Sequence, residues 1–285
     1  MAEQWIIQGD CRSVLPKLPR AKMVFADPPD NIGYSYEGFE DKWPSEGHTY
    51  GAFLEWLTWY PPQRGGIYWL SHNSRYEAEV MDLVQAHHSP AVTATRRFLW
   101  IYTFGQHNKY DFGTSYRPIL RMMQPGQPTY PDAVRVPSAR MKYGDKRADP
   151  RGRVPGDVWD FPRVCGNFKE RRKWASTQHP EALMERIIRF SCVPGDLVID
   201  LFGHSFTTAR VCRRLGIDCI SIEISEFYCR RGAEELGVPV IAAEIVEPGV
   251  WPPNRQGPPK GRENSYAALG RGLGRATPPP GPRAD

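Results

Sequence analysis

The 285-residue sequence contains no run of about 18 apolar residues, and its first ten, Met-Ala-Glu-Gln-Trp-Ile-Ile-Gln-Gly-Asp, include neither a basic region nor a long apolar stretch. Neither a membrane partner nor a secretory leader is expected, and the reading is a soluble, cytoplasmic chain. The six cysteines (Cys11, Cys165, Cys192, Cys212, Cys219 and Cys229) are scattered, with no Cys-x-x-Cys pair and no neighbouring His-x₃-His. No metal site is expected, and free thiols in a reducing compartment follow. Charge of either sign is not dominant: the net value is +5 and the pI about 8.9. That balance favours a polyanionic partner only mildly. The length suits one large domain, with or without an insertion.

Apolar runs of strand length alternate with segments of helical period. Trp5 to Gln8 precedes Cys11 to Leu18, Met23 to Ala26 precedes Tyr50 to Tyr60, and Gly66 to Leu70 precedes Tyr76 to Ala86. Such alternation predicts an α/β chain with a parallel sheet. Tyr50, Phe53, Leu54 and Leu57 have the i, i+3, i+4, i+7 spacing of a helix lying on that sheet. Further strands are expected at Phe98 to Tyr102 and Arg117 to Met122, separated by a polar segment with Gln106, His107 and Asn108. The second half repeats the pattern: helix Pro180 to Arg189, strand Leu197 to Asp200, helix Phe206 to Leu215, strand Ile217 to Ile222, helix Ser225 to Leu236.

Between the halves, from about Gln124 to Lys173, this periodicity fails. From Arg135 to Lys173 twelve basic residues stand against five acidic ones, an excess of seven that exceeds the net charge of the whole chain. Tyr143, Trp159, Phe161, Phe168 and Trp174 are interleaved as stacking surfaces. Basic groups for phosphates and rings for bases form the footprint of a nucleic-acid-binding insertion, the plainer alternative being a solvated basic loop. Arg140, Lys142, Lys146, Arg147, Arg151 and Arg153 are its candidate phosphate contacts. After Glu247 the composition turns to Pro, Gly and Arg, which predicts a disordered tail where Arg271, Arg275 and Arg283 offer weak phosphate contacts.

The most informative stretch is Met23 to Asp30, Met-Val-Phe-Ala-Asp-Pro-Pro-Asp. A short apolar strand ends in a carboxylate followed by two prolines, which hold the backbone extended and rigid. Pro28 and Pro29 have no N–H to donate, so the segment offers carbonyl oxygens and the Asp27 carboxylate, a set suited to gripping an amino group. An ordinary strand-to-turn junction is the alternative. Ligands of open parallel sheets bind at the carboxyl ends of strands, where Asp27, Asp200 and Glu223 are all expected. Glu223 lies 23 residues after Asp200, near the spacing at which a carboxylate meets the ribose of a nucleoside cofactor.

Gln-Gly-Asp-Cys at 8–11, Asp-Pro-Pro-Asp-Asn-Ile-Gly at 27–33, Thr-Gln-His-Pro-Glu-Ala-Leu-Met-Glu-Arg-Ile-Ile at 177–188, Pro-Gly-Asp-Leu-Val-Ile-Asp-Leu-Phe at 194–202 and Ser-Ile-Glu-Ile-Ser at 221–225 occur in this order. Together they resemble the beta-class amino-group DNA methyltransferases over roughly residues 5–240. The resemblance implies a Rossmann-like, S-adenosylmethionine-dependent fold with a mostly parallel central sheet. It implies a catalytic half over 1–123, a basic target-recognition insertion over 124–174, a cofactor-binding half over 175–246 and the tail over 247–285. Asp27 and the Pro28 carbonyl would accept hydrogen bonds from the exocyclic amine of a flipped base, with Pro29 and Asp30 completing the tetrad and Asp30 facing the base. Asp10, with Cys11 beside it, would meet the cofactor adenine and Glu223 its ribose. The turn from Asp200 through Phe202, Gly203 and Ser205 to Thr207 and Thr208, with Thr177 and Gln178, would meet its methionine end. Double-stranded DNA is the implied partner, and Asp rather than Ser at position 27 leans towards adenine over cytosine. The resemblance is compatible with a homodimer and names no restriction endonuclease partner.

Two departures from the family pattern carry expectations of their own. The tetrad usually ends in Tyr, Phe or Trp; Asp30 forfeits about 1–3 kcal/mol of base stacking unless Tyr34, Tyr36, Phe39 or Trp43 moves in. The cofactor loop, usually Phe-Ala-Gly-Ser-Gly-Thr-Thr, reads Phe202-Gly203-His204-Ser205-Phe206-Thr207-Thr208. Bulky residues at both glycine positions predict about 1–3 kcal/mol of backbone strain each and crowding of the cofactor. Two functions are therefore weighed, an active methyltransferase and a catalytically weakened relative serving as a DNA-binding or partner subunit, with RNA as a third reading of the substrate.

Overall fold

The computed structural model describes residues 2–45, 49–86, 92, 94–103 and 108–251. Gln106 and His107 of the polar segment, and the tail beyond 251 with Arg271, Arg275 and Arg283, lie outside the described residues. The chain opens with β1 (Gln4–Gln8) and a short helix α1 (Cys11–Val14), which tightens into a 3₁₀ turn over Leu15–Lys17 because Pro16 enters it. Next come β2 (Ala21–Ala26), a two-stranded hairpin β3 (Ser35–Tyr36) and β4 (Phe39–Glu40), the helices α2 (Tyr50–Trp59) and α3 (Pro61–Arg64), and β5 (Gly65–Ser71). α4 (Glu77–Ala86), β6 (Ala94–Ile101) and β7 (Tyr116–Met123) complete the first half. The middle contributes α5 (Ala139–Lys142) and β8 (Val158–Asp160). Then α6 (Glu181–Ser191), β9 (Leu197–Asp200), α7 (Thr207–Leu215), β10 (Asp218–Glu223), α8 (Glu226–Leu236) and β11 (Val240–Ala242) follow.

Among the described residues nine strands form one sheet in the order β11-β1-β10-β9-β2-β5-β7-β6-β8. Neighbours pair in parallel except β7, which runs against both β5 and β6. The expected mostly parallel α/β fold is therefore present. The two halves of the chain meet where β2 lies beside β9, with Phe25 opposite Asp200. Every residue of β2 and β5 is buried, as a strand with helices on both faces requires, including Lys22, whose ammonium donates to the Pro128 carbonyl at 2.7 Å.

Alternation along the strands divides the core in two. Met23, Phe25, Ile67 and Trp69 face a layer containing Leu183, Ile187 and Val211 from α6 and α7. Val24, Ala26, Tyr68 and Leu70 face Leu54, Leu57 and Val80 from α2 and α4. Each fully buried large side chain contributes about 1.5–3 kcal/mol, so these layers fix the register and with it the strand ends. Thr49 caps α2 by accepting from the Ala52 N–H, and Ser225 caps α8 by accepting from that of Tyr228.

The basic middle segment differs from the sequence expectation in one respect. β8 extends the main sheet in parallel with β6, and Trp159 within it is buried against Trp69 and Phe98. Trp159 is therefore core and not a stacking surface; Phe161 and Trp174 pack against the same core, while Tyr143 and Phe168 remain exposed. No described helix is long and apolar enough to cross a membrane.

Candidate active site

The carboxyl ends of β1, β2, β9 and β10 open onto one cavity of about 460 Å³. All the residues singled out for catalysis and cofactor binding line it: Asp27, Pro28, Pro29, Asp30, Asp10, Cys11, Thr177, Asp200, Phe202, Gly203, Ser205, Thr207, Thr208 and Glu223. Segments separated by up to about 200 residues in sequence are thus brought to one sheet edge by the parallel pairing of β1 with β10 and of β2 with β9. The six basic candidates from Arg140 to Arg153 are exposed and do not line it; Arg163 and Val164 from the same middle segment do.

Asp27 leaves the end of β2 half-buried, with both carboxylate oxygens engaged. Arg117 donates to Oδ1 at 2.6 Å, and His179 Nδ1 lies 3.3 Å from Oδ2. Burial works to raise the Asp27 carboxyl, but Arg117 and then His179 outweigh it and hold it below the usual carboxylate range. Burial lowers the His179 pKa against the opposing pull of Asp27, and its ring packs between Phe25 and Trp100. Asp30 also turns to Arg117, accepting from Nη1 and Nη2 at 2.9 Å each. The tetrad is held from outside by Tyr50, whose hydroxyl donates to the Pro29 carbonyl at 2.7 Å. The following loop is pinned by Asp41, fully buried, which accepts from the N–H groups of Asn31 and Ile32 at 2.7 and 3.1 Å.

Arg117, His179 and Asp41 are not singled out by the sequence. His179 sits in the motif at 177–188, and that neighbourhood is a usable signal. Arg117 carries none, because its place depends on β7 being antiparallel: the start of that strand lies at the edge where the parallel strands end, with His72 N–H bonded to the Pro118 carbonyl.

On the other side of the cavity Glu223 is buried, accepting from the N–H of His204 at Oε2 and of Ser225 at Oε1, both 2.8 Å. Asp10 caps α1 through Arg12 N–H (2.8 Å) and pairs with the Arg12 guanidinium. Cys11 is buried beside it, and burial pushes its thiol up. Asp200 accepts from Phe202 N–H at 3.1 Å; burial raises its carboxyl to about 7. Ser205 and Thr207 share a hydrogen bond of 3.0 Å, and Arg210 donates to the Thr207 hydroxyl at 2.9 Å. A buried carboxylate at the β10 end, the cavity-lining Ser205, Thr207 and Thr208 hydroxyls and flanking rings form a donor and acceptor set that fits a nucleoside bearing an amino-acid chain.

His204 and Phe206 both adopt the left-handed backbone that favours glycine, with φ of 34° and 53°. Their side chains part company. The His204 ring lines the cavity between Tyr36 and Tyr228, its Nε2 buried without a hydrogen-bond partner, and burial lowers its pKa to about 4. Phe206 turns away into the core and is 1% exposed. The expected crowding by Phe206 is therefore corrected: its ring fills space left by Gly203 and Gly232, where a Cβ would clash with it.

Tyr34, Tyr36, Phe39 and Trp43, candidates to replace a tetrad aromatic, all line the cavity, as do Trp100, Tyr102 and Tyr116. Trp43 is stacked on Phe53, ring centroids 4.6 Å apart, whereas Tyr36 stands beside His204 with its phenol bonded to Thr177. In the basic segment, Arg147 pairs with Asp145 and Arg151 with Asp149.

A family model for N6/N4 DNA methylases matches residues 21–235. Among similar proteins, the DNA adenine methyltransferase YhdJ of Escherichia coli (strain K12) is 33% identical over 254 residues, covering 82% of this chain and 82% of the relative. The type II methyltransferase M.ScaI of Streptomyces caespitosus is 26% identical over 246 residues, covering 78% of each. Of solved structures, the PvuII DNA methyltransferase (cytosine-N4-specific) superposes with a TM-score of 0.62 at 15% identity, over 82% of this chain and 86% of that one. The M1.HpyAVI–SAM complex gives 0.57 at 18% identity, over 82% and 100%. At such identities the structural likeness concerns the fold.

Proposed function

The chain belongs to the DNA methylase family and is a site-specific, S-adenosylmethionine-dependent DNA methyltransferase acting on an exocyclic amino group; from that premise we propose that Asp27 is its acceptor for the target amine and adenine its target base. One observation carries the first reading: the Asp27 carboxylate is held ionised at the end of β2, in the same cavity as Glu223 and the 202–208 turn. An ionised carboxylate accepts from the amine N–H and leaves the nitrogen lone pair free to attack. S-adenosylmethionine supplies the methyl group. Asp27 and the Pro28 carbonyl orient the amine, and Asp27 takes the proton it sheds on becoming methylated.

Glu223 is assigned to the ribose hydroxyls, Asp10 and Cys11 to the adenine side, and Thr177, Asp200, Phe202, Gly203, Ser205, Thr207 and Thr208 to the remainder of the cofactor. Two to three charge-assisted bonds at about 1.5–3 kcal/mol each are enough for micromolar affinity together with ring contacts. The segment 124–174 is assigned to the DNA, with exposed Arg140, Lys142, Lys146, Arg147, Arg151 and Arg153 on phosphates. Adenine is supported by the adenine activity in the name of the E. coli relative at 33% identity.

The test is mass spectrometry of nucleosides from duplex DNA incubated with labelled S-adenosylmethionine. N6-methyladenine is expected, and N4-methylcytosine would reassign the base. Asp27→Ala is expected to abolish methylation while DNA affinity stays within a few-fold. Residual methylation near the wild-type rate would remove Asp27 from the chemistry.

A further inference from the structure

Arg117 enters the cavity from the antiparallel strand with only 15% of its side chain exposed. Its Nη2 donates to Asp27 Oδ1 (2.6 Å) and Asp30 Oδ1 (2.9 Å), Nη1 to Asp30 Oδ2 (2.9 Å), and Nε to Ser71 Oγ (2.7 Å). Asp30 thus takes the two-pronged face of the guanidinium, and Asp27 receives a single bond from the shared nitrogen. Guanidinium and carboxylate prefer the two-pronged arrangement. With an aromatic ring at position 30, Asp27 would be the carboxylate left for that face, and both of its oxygens would be drawn onto Arg117.

We propose that Asp30 and Arg117 act as one unit replacing the tetrad aromatic: Arg117 is a positioning residue that orients Asp27 and keeps it ionised, and Asp30 holds the guanidinium so that it spends only one bond on Asp27. A carboxylate has about four lone-pair sites, so with one on Arg117, one towards His179 and one on the Ser71 side chain it still has one for the amine. The inference rests on the reading of Asp27 as the amine acceptor. It reverses the obvious repair, since restoring the family's ring at position 30 should harm the enzyme unless Arg117 is removed with it.

Besides Arg117, the groups facing Asp27 are Asp30 from its own loop, His179 ahead of α6, Asp200 at the end of β9, His204 in the cofactor turn and Tyr36 of the hairpin. Of these Arg117 is the cation in direct contact. Removing it raises the carboxyl, so the acid limb of the kcat/KM profile moves to higher pH by about one unit or more.

The experiment measures kcat, KM and pH profiles on the full chain for D30Y, R117M, the double variant D30Y/R117M, R117K and D27N, with melting temperature and cofactor calorimetry for each. D30Y is expected to lower kcat about 100-fold, the size of effect that misplacing a reacting group brings, and the double variant to recover at least about tenfold of it. R117M is expected to shift the acid limb upward, and R117K, which keeps the charge without the fork, to leave it in place while lowering kcat. If R117M does not fold, the isosteric D30N carries the test: it frees Arg117 towards Asp27, lowering both kcat and the acid limb. A D30Y enzyme as active as wild type, or an acid limb indifferent to R117M, overturns the inference. D27N separates the two readings: if it methylates, the acceptor assignment itself has failed, and if it is dead while D30Y is fully active, only the paired role has failed.

Discussion

The Phe206 ring lies against Gly232 of α8 so closely that a Cβ at position 232 would overlap ring atoms Cδ2 and Cε2, while a Cβ at Gly203 would meet Cε1 at 2.7 Å. A bulky residue at a turn position with φ of 53° is thus accommodated by two glycines facing its ring. Gly232→Ala is expected to lower stability by about 1–3 kcal/mol through overpacking. Phe206→Gly relieves the backbone but opens a core void, a net loss of about 2–4 kcal/mol, and leaves cofactor affinity unchanged. Denaturant titration and calorimetry check both, and tighter cofactor binding by Phe206→Gly would contradict the placement of the ring.

His204 makes stability depend on pH. Its pKa is lowered to about 4 from 6.5, first by burial, so the unfolded chain takes up a proton that the folded chain refuses. Stability is complete above about 6.5 and falls away as the pH drops towards 4, by up to about 3 kcal/mol. His72, lowered to about 4 by burial, acts in the same direction, while Asp200, raised to about 7, opposes both because it keeps a proton that the unfolded chain has shed. The difference between wild type and His204→Gly isolates the His204 contribution. Urea titrations at pH 5 and pH 7 should show a smaller drop for the variant, and equal drops would place the His204 ring in contact with water.

Glu223 offers a separable test of the cofactor end. Glu223→Gln keeps the shape but supplies one acceptor oxygen where the backbone N–H groups of His204 and Ser225 now use two. S-adenosylmethionine affinity is expected to fall about 10- to 100-fold, and stability by about 1–3 kcal/mol for the N–H left unpaired. Calorimetry below the lowered melting temperature checks the first; unaltered affinity would move the ribose elsewhere.

The basic segment is expected to contribute unevenly to DNA binding. Arg147 and Arg151 are tied to Asp145 and Asp149, so their net charge is partly cancelled before DNA arrives. Alanine at Arg140, Lys142 and Lys146 together should reduce the slope of log K against log salt by about 2–3, at about 0.9 for each phosphate no longer neutralised. The pair Arg147→Ala and Arg151→Ala should reduce it less per residue. A salt series of fluorescence anisotropy measures both, and an unchanged slope for the triple variant would put the phosphates on another face.

The strands and helices around β2, β5, β9 and β10 are legible in the sequence because burial on both faces demands unbroken apolar runs, and those runs end at polar residues that become the site. Glu223 and the tetrad are located by that logic. Strand direction leaves no trace in apolar periodicity, and so Arg117 looks like an ordinary strand residue. Asp41 is silent for a different reason: in the charged run Glu40-Asp41-Lys42 it reads as one more solvated carboxylate, with no hint of the two backbone N–H groups it holds. Trp159 reads as a stacking surface because it sits among charges, and β8 is only three residues long with alternating exposure, too short to show a period.

The attachment of β8 to β6 bears on how a new recognition specificity would be engineered. Residues 124–174 are sewn into the sheet by the Trp100–Trp159 register and by Trp159 packing on Trp69 and Phe98, and Arg163 delivers part of that segment to the cavity wall. A cassette swap cut at the motif boundaries would remove a sheet edge and a piece of core along with the exposed basic residues proposed to meet DNA. The transplantable unit is smaller, running from Val136 to Arg153, which bridge each other, with Ser138 capping α5 inside it. Its ends already lie side by side there, so a foreign loop can be closed without disturbing the strands.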